Sequence, residues 1–249
     1  MGKHIGIRNI TTNKMKFIKQ GDPCNVQDKE ITGLTISTSS QNSHLSSSNS
    51  RRYLAVCEKR YFDHHAYISF YDFKNVDFKK NNFAPKYLKT VNISEFVYQA
   101  IYKKNANHHS KDFEAKQAEE EQPQKNIVSL SFSKDNKYLA IILSDKNLDT
   151  KAVIYDWLSK NKLIASYDFP HQEIKKITFN PKDWTQICTS GPNHWRVWRI
   201  QENSFKQVPQ FQKIRQDRHF TDHCWLDDDK LLVGTQLGEL IYVDNFEQK

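Results

Sequence analysis

A unit of alternating, then continuous, apolar segments recurs along this chain. Its clearest copy runs Ile127–Ala140 (IVSLSFSKDNKYLA) and continues through Lys151–Trp157 (KAVIYDW). A second runs Ile174–Gly191 (IKKITFNPKDWTQICTSG) and His194–Ile200 (HWRVWRI). A third starts at Ile31–Ser37 (ITGLTIS), crosses a Ser-rich insert, and resumes at Arg52–Val56 (RYLAV) and Ala66–Phe73 (AYISFYDF). The last is His223–Thr235 (HCWLDDDKLLVGT) followed by Gly238–Asp244 (GELIYVD). Leu130 and Ile177 hold the same place in successive copies, 47 positions apart. That spacing falls in the length range of a four-stranded blade.

Each copy reads as an ordered set of strands. Val128, Leu130 and Phe132 alternate with Ser129 and Ser131, a period of two that buries one face. Asp135 and Asn136 then supply a turn. Tyr138–Leu143 is a nearly continuous apolar run, which predicts a strand covered on both faces. Val153, Tyr155 and Trp157 alternate as a third strand, and Leu163–Phe169 forms the fourth. Aromatics make up 12% of the chain, including 15 Phe and 11 Tyr, a composition that suits pleated sheet.

The chain is therefore expected to be all-β: an open, partial β-propeller of about four blades, truncated at both ends. Residues 1–20 read as the second half of an incomplete first blade, and 30–92 as a blade with a Ser-rich insert at 38–50. Residues 127–169 and 174–212 are further blades, and 221–249 an incomplete last one. After Asp244 too few residues remain for a fourth strand. Residues 93–126 form a charged insert, in which Ser94 is placed to cap a short helix with Phe96, Val97, Ala100 and Ile101 on one side; the rest reads as a disordered loop. An open propeller leaves two sheet faces uncovered, so completion by another chain or by missing sequence is expected.

Chemistry-bearing patterns are sparse. There is no nucleophile elbow and no phosphate-cradling glycine loop, and the chain holds only seven glycines. No enzyme activity and no cofactor is expected. The pairs His64–His65 and His108–His109 lie in predicted loops without partner ligands, and His219, His223 and Cys224 sit on or beside a strand whose alternation sends neighbours to opposite faces. Asp227, Asp228 and Asp229 occupy a hairpin turn. Cys24, Cys57, Cys188 and Cys224 show no metal-site spacing and read as reduced. Tyr71, Tyr155, Trp198 and Tyr242, with Asp72, Asp156 and Asp244 after three of them and Trp157 beside Asp156, mark the ends of third strands. They read as structural markers: the aromatic packs between sheets and the aspartate starts a turn.

The formal charge of +8 favours acidic partners. Lys74, Lys79, Lys80, Lys86, Lys89, Lys103 and Lys104 concentrate part of it against Asp77 and Glu95 alone. They are the candidate partner-binding residues, a solvated loop face being the plain alternative. Their separation from the aromatic positions disfavours nucleic acid. No apolar run is long enough to span a membrane, and the basic start lacks the apolar core of a signal peptide.

The segment His171–Pro181 (HQEIKKITFNP) and Ser190–Trp198 (SGPNHWRVW) resemble the opening and third strand of a WD repeat, with Arg199 where that repeat has Asp. More narrowly, Arg52–Val56, Ile68–Asp72, Ile127–Ala140, Phe179–Cys188, Cys224–Trp225 and Val233–Leu240 occur in the same order in the cilia- and flagella-associated protein 57 family. The resemblance covers nearly all the chain from Ile5 onward and corresponds to early blades of that family's first propeller. It implies a non-catalytic scaffold of the cytoskeleton in the ciliary axoneme, near inner dynein arms or the neighbouring regulatory complex. Implied partners are axonemal proteins such as tubulin or dynein-arm subunits. The family's long coiled coil has no counterpart here. A cytosolic WD-repeat adaptor outside cilia and an RNA-associated propeller are the alternatives.

Overall fold

The computed structural model describes residues 5–8, 13, 15–17, 29–37, 52–60, 65–73, 85–97, 126–145, 147–209, 218–244 and 247–248. The Ser-rich insert, the charged loop beyond 97 and Lys74, Lys79, Lys80, Lys103 and Lys104 lie outside them.

Strands β1 (Gly6–Arg8) and β2 (Met15–Phe17) form an antiparallel pair. Four four-stranded antiparallel sheets follow. Blade I is β3 (Lys29–Ile36), β4 (Tyr53–Arg60), β5 (Ala66–Asp72) and β6 (Lys86–Asn92). Blade II is β7 (Asn126–Phe132), β8 (Tyr138–Ser144), β9 (Thr150–Asp156) and β10 (Lys162–Phe169). Blade III is β11 (Lys176–Phe179), β12 (Gln186–Gly191), β13 (His194–Gln201) and β14 (Ser204–Gln207). Blade IV is β15 (Phe220–Trp225), β16 (Lys230–Thr235), β17 (Leu240–Asp244) and β18 (Glu247–Gln248). Within each blade the strands pair in sequence order. The first strands gather together: β7 lies against both β3 and β11, and β11 meets β15. This is a partial propeller.

Stacking explains the continuous apolar runs. Every residue of β8 and β9 is buried, because blade II is covered on both sides. Leu139, Ile141, Leu143, Val153, Tyr155 and Trp157 pack on Ala55, Ile68 and Phe70 of blade I. The alternate residues Ala140, Ile142, Ala152 and Ile154 pack on Ile177, Ile187 and Trp198 of blade III. Burial of this kind contributes about 25 cal/mol per Å² of apolar surface.

Turn chemistry follows the sequence. Asn136, Asn161 and Asn193 take positive φ (62°, 49° and 54°) at three hairpins, a conformation asparagine tolerates better than most residues. In the first of these turns the Tyr138 amide donates to Ser133 Oγ at 2.9 Å, and the Lys137 amide to Asp135 Oδ1 at 3.1 Å. Gly191 is required by crowding: a Cβ there would stand 2.2 Å from the Glu173 carbonyl oxygen.

Two expectations are corrected. β18 gives blade IV a fourth strand, short as it is, because Val243 and Asp244 pair with Gln248 and Glu247. The helical turn at 93–97 is capped by Asn92, whose Oδ1 accepts the Glu95 amide at 3.1 Å, and not by Ser94. Ser94 Oγ instead accepts the Ala66 amide at 3.1 Å, which ties the turn to β5. The turn carries Ile93 and Val97 into the core between blades I and II.

Candidate interaction surfaces

Of the seven candidate lysines, Lys86 and Lys89 are among the described residues, and β6 places them differently. Lys86 is exposed at a position paired with Asp72. Lys89 reaches across to blade II and donates to the Trp157 carbonyl at 2.6 Å and to Asn161 Oδ1 at 2.9 Å. Its ammonium lies 5.8–5.9 Å from the ring centres of Phe70, Tyr155 and Trp157. Burial lowers its pKa, with Asp156 opposing. Lys89 is thus committed to the joint between two blades; its register partner is the buried Phe70, a pairing that only the assembled sheet reveals.

The third-strand markers divide as well. Tyr71, Tyr155 and Trp198 occupy equivalent places, paired with Leu54, Leu139 and Ile187 and turned toward the preceding unit. Trp157 packs into the same joint as Tyr155, and its indole donates to the Asn136 carbonyl at 2.8 Å. Asp156 starts a turn, accepting the Ser159 and Lys160 amides at 3.0 and 3.2 Å. Asp72 and Asp244 hold the same register place. Tyr242 does not belong to the series. It pairs with Leu232, and Val243, paired with Leu231, takes the inward place. A one-residue offset sends a side chain to the other face of a sheet.

Blades III and IV meet through a polar lattice rather than an aromatic stack. His223 is fully buried between Thr178 Oγ1 (2.8 Å from Nε2) and Ser190 Oγ (2.7 Å from Nδ1). The Trp225 indole donates to the same Thr178 Oγ1 at 3.1 Å, so the ring is held between two hydroxyls that can each donate or accept. That arrangement suits a neutral ring, and burial, aided by Lys176, pushes the pKa of His223 down to about 3. Lys176 also pairs with Asp222 across the joint. Within blade III, Trp198 Nε1 donates to Thr189 Oγ1 at 2.8 Å, which meets His194 Nε2 at 2.8 Å. Burial lowers the His194 pKa to about 3 too, with Arg196 adding to the effect.

The remaining chemical candidates have structural partners. The Asp227, Asp228 and Asp229 carboxylates come within 4.8 Å of one another. Lys182 pairs with the first two at 2.8 and 3.1 Å, and Asn180 Nδ2 donates to the Asp228 carbonyl at 2.6 Å, so the turn fastens blade IV to blade III. Cys57 and Cys188 are buried free thiols whose pKa burial raises, and Cys224 is an exposed free thiol.

The last blade has one face packed on blade III through Phe220, Leu231, Val233, Ile241 and Val243. Its other face carries Cys224, Leu232, Tyr242 and Leu240, with Leu240 77% exposed. At the opposite end, Leu34 and Ile36 of β3 are 56% exposed on the side of blade I away from blade II. Ile5, Leu54, Val56 and Tyr71 cluster on that same side.

No family model matches the chain. Cilia- and flagella-associated protein 57 of Mus musculus is 28% identical over 125 residues, which is 49% of this chain and 10% of that protein. A chain in the crystal structure of the Mitotic Checkpoint Complex superposes with a TM-score of 0.56 at 11% identity, covering 99% of this chain and 59% of that one. The β-propeller domain of Cps50 (Swd1) from Myceliophteria thermophila gives a TM-score of 0.47 at 18% identity, over 77% of this chain and 48% of that one. This chain thus spans about a tenth of the curated relative's length, and 59% and 48% of the two solved chains. Across half its length it is similar in sequence to cilia- and flagella-associated protein 57, and its fold is a partial β-propeller.

Proposed function

We propose that this chain is a non-catalytic interaction scaffold of the ciliary axoneme, positioned on doublet microtubules near inner dynein arms or the neighbouring regulatory complex. The observation that carries this reading is the 125-residue similarity to a cilia- and flagella-associated protein. The fold supports it. Blades locked by Trp157, Lys89 and His223 make a rigid body, and its loops and end faces offer surfaces for other proteins. Exposed lysines such as Lys86, together with Lys74, Lys79, Lys80, Lys103 and Lys104, would draw acidic surfaces such as tubulin through screened attraction. Lys89 is left out of that set because its ammonium holds two blades together.

The test is localisation of an epitope-tagged chain in ciliated cells, followed by salt extraction of isolated axonemes. Retention along the axoneme, with release as ionic strength rises, is the expected result. A signal confined to the cytosol would favour the non-ciliary adaptor, and one lost on ribonuclease treatment the RNA-associated propeller. Either would overturn the proposal.

A further inference from the structure

The rim formed by the first and third turns of the blades is charged unevenly. In blade II the first turn (133–137) carries Lys134 and Lys137, and the third (157–161), with the start of β10, carries Lys160 and Lys162. Lys134, Lys160 and Lys162 are exposed, and Lys137 is half-buried. Register gathers them. Tyr138 pairs with Asp156 and Asp156 with Lys162, so Lys137 and Lys162 border one row two strand spacings wide, about 10 Å. Blade I points the same way, since Tyr53 meets Trp157 at 5.0 Å and Lys89 reaches the third turn of blade II. There Arg52 and Lys86 stand exposed on either side of Asp72.

The acids of these blade II turns are spent on their own backbone. Asp156 is buried and accepts the Ser159 and Lys160 amides. Asp135 accepts the Lys137 amide and the Ser133 hydroxyl. Elsewhere on the rim a cation does find acids: Lys182 in the first turn of blade III pairs with Asp227 and Asp228 of blade IV. The same step from blade II to blade III has no counterpart, because Asp183 of blade III is held by Arg199. None of Lys134, Lys137, Lys160 and Lys162 is ion-paired with another described residue.

We propose that this end of blade II binds an extended acidic polypeptide segment, its carboxylates set against Lys134, Lys137, Lys160 and Lys162, with Lys86 and Arg52 continuing the track onto blade I. Carboxylates on one side of an extended chain recur about every 7 Å, a spacing that places two of them across the lysine row. Leu158, 44% exposed in the third turn, offers their methylene stems an apolar contact. Two observations select this occupant. Tyr138 and Trp157 at this end are buried, at 7% and 2% exposure, and so offer nucleic-acid bases no platform for stacking. Asp227, Asp228 and Asp229 lie on the same rim at blade IV, where they would repel a broad anionic surface such as a bilayer but not a narrow segment confined to blade II. The site rests on the reading of acidic partners above and names their contact. Binding by the purified chain does not depend on ciliary location, so the two readings fail separately.

The experiment is a fluorescence anisotropy titration of a labelled octaglutamate peptide with the whole 249-residue chain. Saturable binding that weakens as salt rises is expected. The double variant Lys134→Glu/Lys160→Glu should lose about tenfold in affinity, the equivalent of two reversed surface charges. Lys175→Glu/Lys206→Glu changes the net charge equally at sites away from the lysine row, and it should shift affinity by less than about twofold. Circular dichroism should show the wild-type strand signal in both. Three results would overturn the proposal: no saturable binding by the wild type, equal losses in the two double variants, or tighter binding of an octauridylate or of phosphatidylserine vesicles than of the peptide. The last would reassign the lysines to nucleic acid or to a membrane surface.

Discussion

Trp157 of blade II lies flat on Phe70 of blade I, with ring centroids 4.3 Å apart and planes within 2° of parallel. Tyr53 meets the same indole edge-on at 5.0 Å, and Phe132 of β7 approaches it at 5.8 Å. The joint between blades I and II is therefore an aromatic nest rather than a smooth apolar sandwich. Aromatic pairs of this geometry contribute about 0.5–1.5 kcal/mol beyond their burial. Trp157→Ala should destabilise the chain by about 3–5 kcal/mol, the range for deleting a large buried ring. Urea unfolding followed by tryptophan fluorescence and circular dichroism would measure it. The Phe70→Ala and Trp157→Ala losses should fall short of additivity in the double variant, because the two rings share one contact.

Lys89 and Lys86 stand three residues apart on β6 and should behave oppositely. Lys89→Met removes the donor to the Trp157 carbonyl and to Asn161, and an unsatisfied buried acceptor costs about 1–3 kcal/mol. Lys86→Met at an exposed site should change stability by less than about 0.5 kcal/mol. Chemical denaturation of the two variants side by side decides between a joint lysine and a surface lysine.

Acid should loosen blade III from both its neighbours, since His194 lies against Phe169 of blade II and His223 bridges blades III and IV. His194 and His223 have folded pKa values near 3, against about 6.5 in the unfolded chain. Below pH 6.5 the unfolded state binds protons that the folded state refuses, so stability falls as pH falls and levels off near pH 3. Each imidazole adds a slope of up to about 1.4 kcal/mol per pH unit within that window. Lys176 and Arg196 reinforce the effect, and Asp222 opposes it at His223. Thermal melts between neutral pH and pH 4 should show the decline, and His223→Gln should flatten it while lowering stability at neutral pH. A His223→Gln variant with the wild-type slope would contradict this assignment.

Much of the fold was legible because strand periodicity is a local signal. Leu130 and Phe132 against Ser129 and Ser131 announced β7, although a bulge between Ile127 and Ser129 turns Val128, expected on the buried face, outward to 44% exposure; the unbroken Tyr138–Leu143 run announced a strand covered twice. What the pattern could not convey was register. Tyr242 looks like Tyr155 in the sequence, yet the pairing of β17 with β16 places Val243 at the inward position. Lys89 looks like Lys86, yet its partner across the ladder is a buried phenylalanine. The polar joint at His223 rests on Thr178 and Ser190, which are 45 and 33 residues away in the chain, and no spacing rule links them. The residues on the outer face of the last sheet, Cys224, Leu232, Tyr242 and Leu240, emerge only with the sheet pairing.

Amide hydrogen exchange on the dilute chain tests the stacked-blade architecture most directly. Residues of β8, β9 and β12, each covered on both faces, should exchange slowest, and β17, open on one face and paired with only a two-residue strand on its outer edge, should exchange markedly faster. Uniform protection across the four sheets, or β17 as slow as β9, would contradict a row of blades whose last face is open.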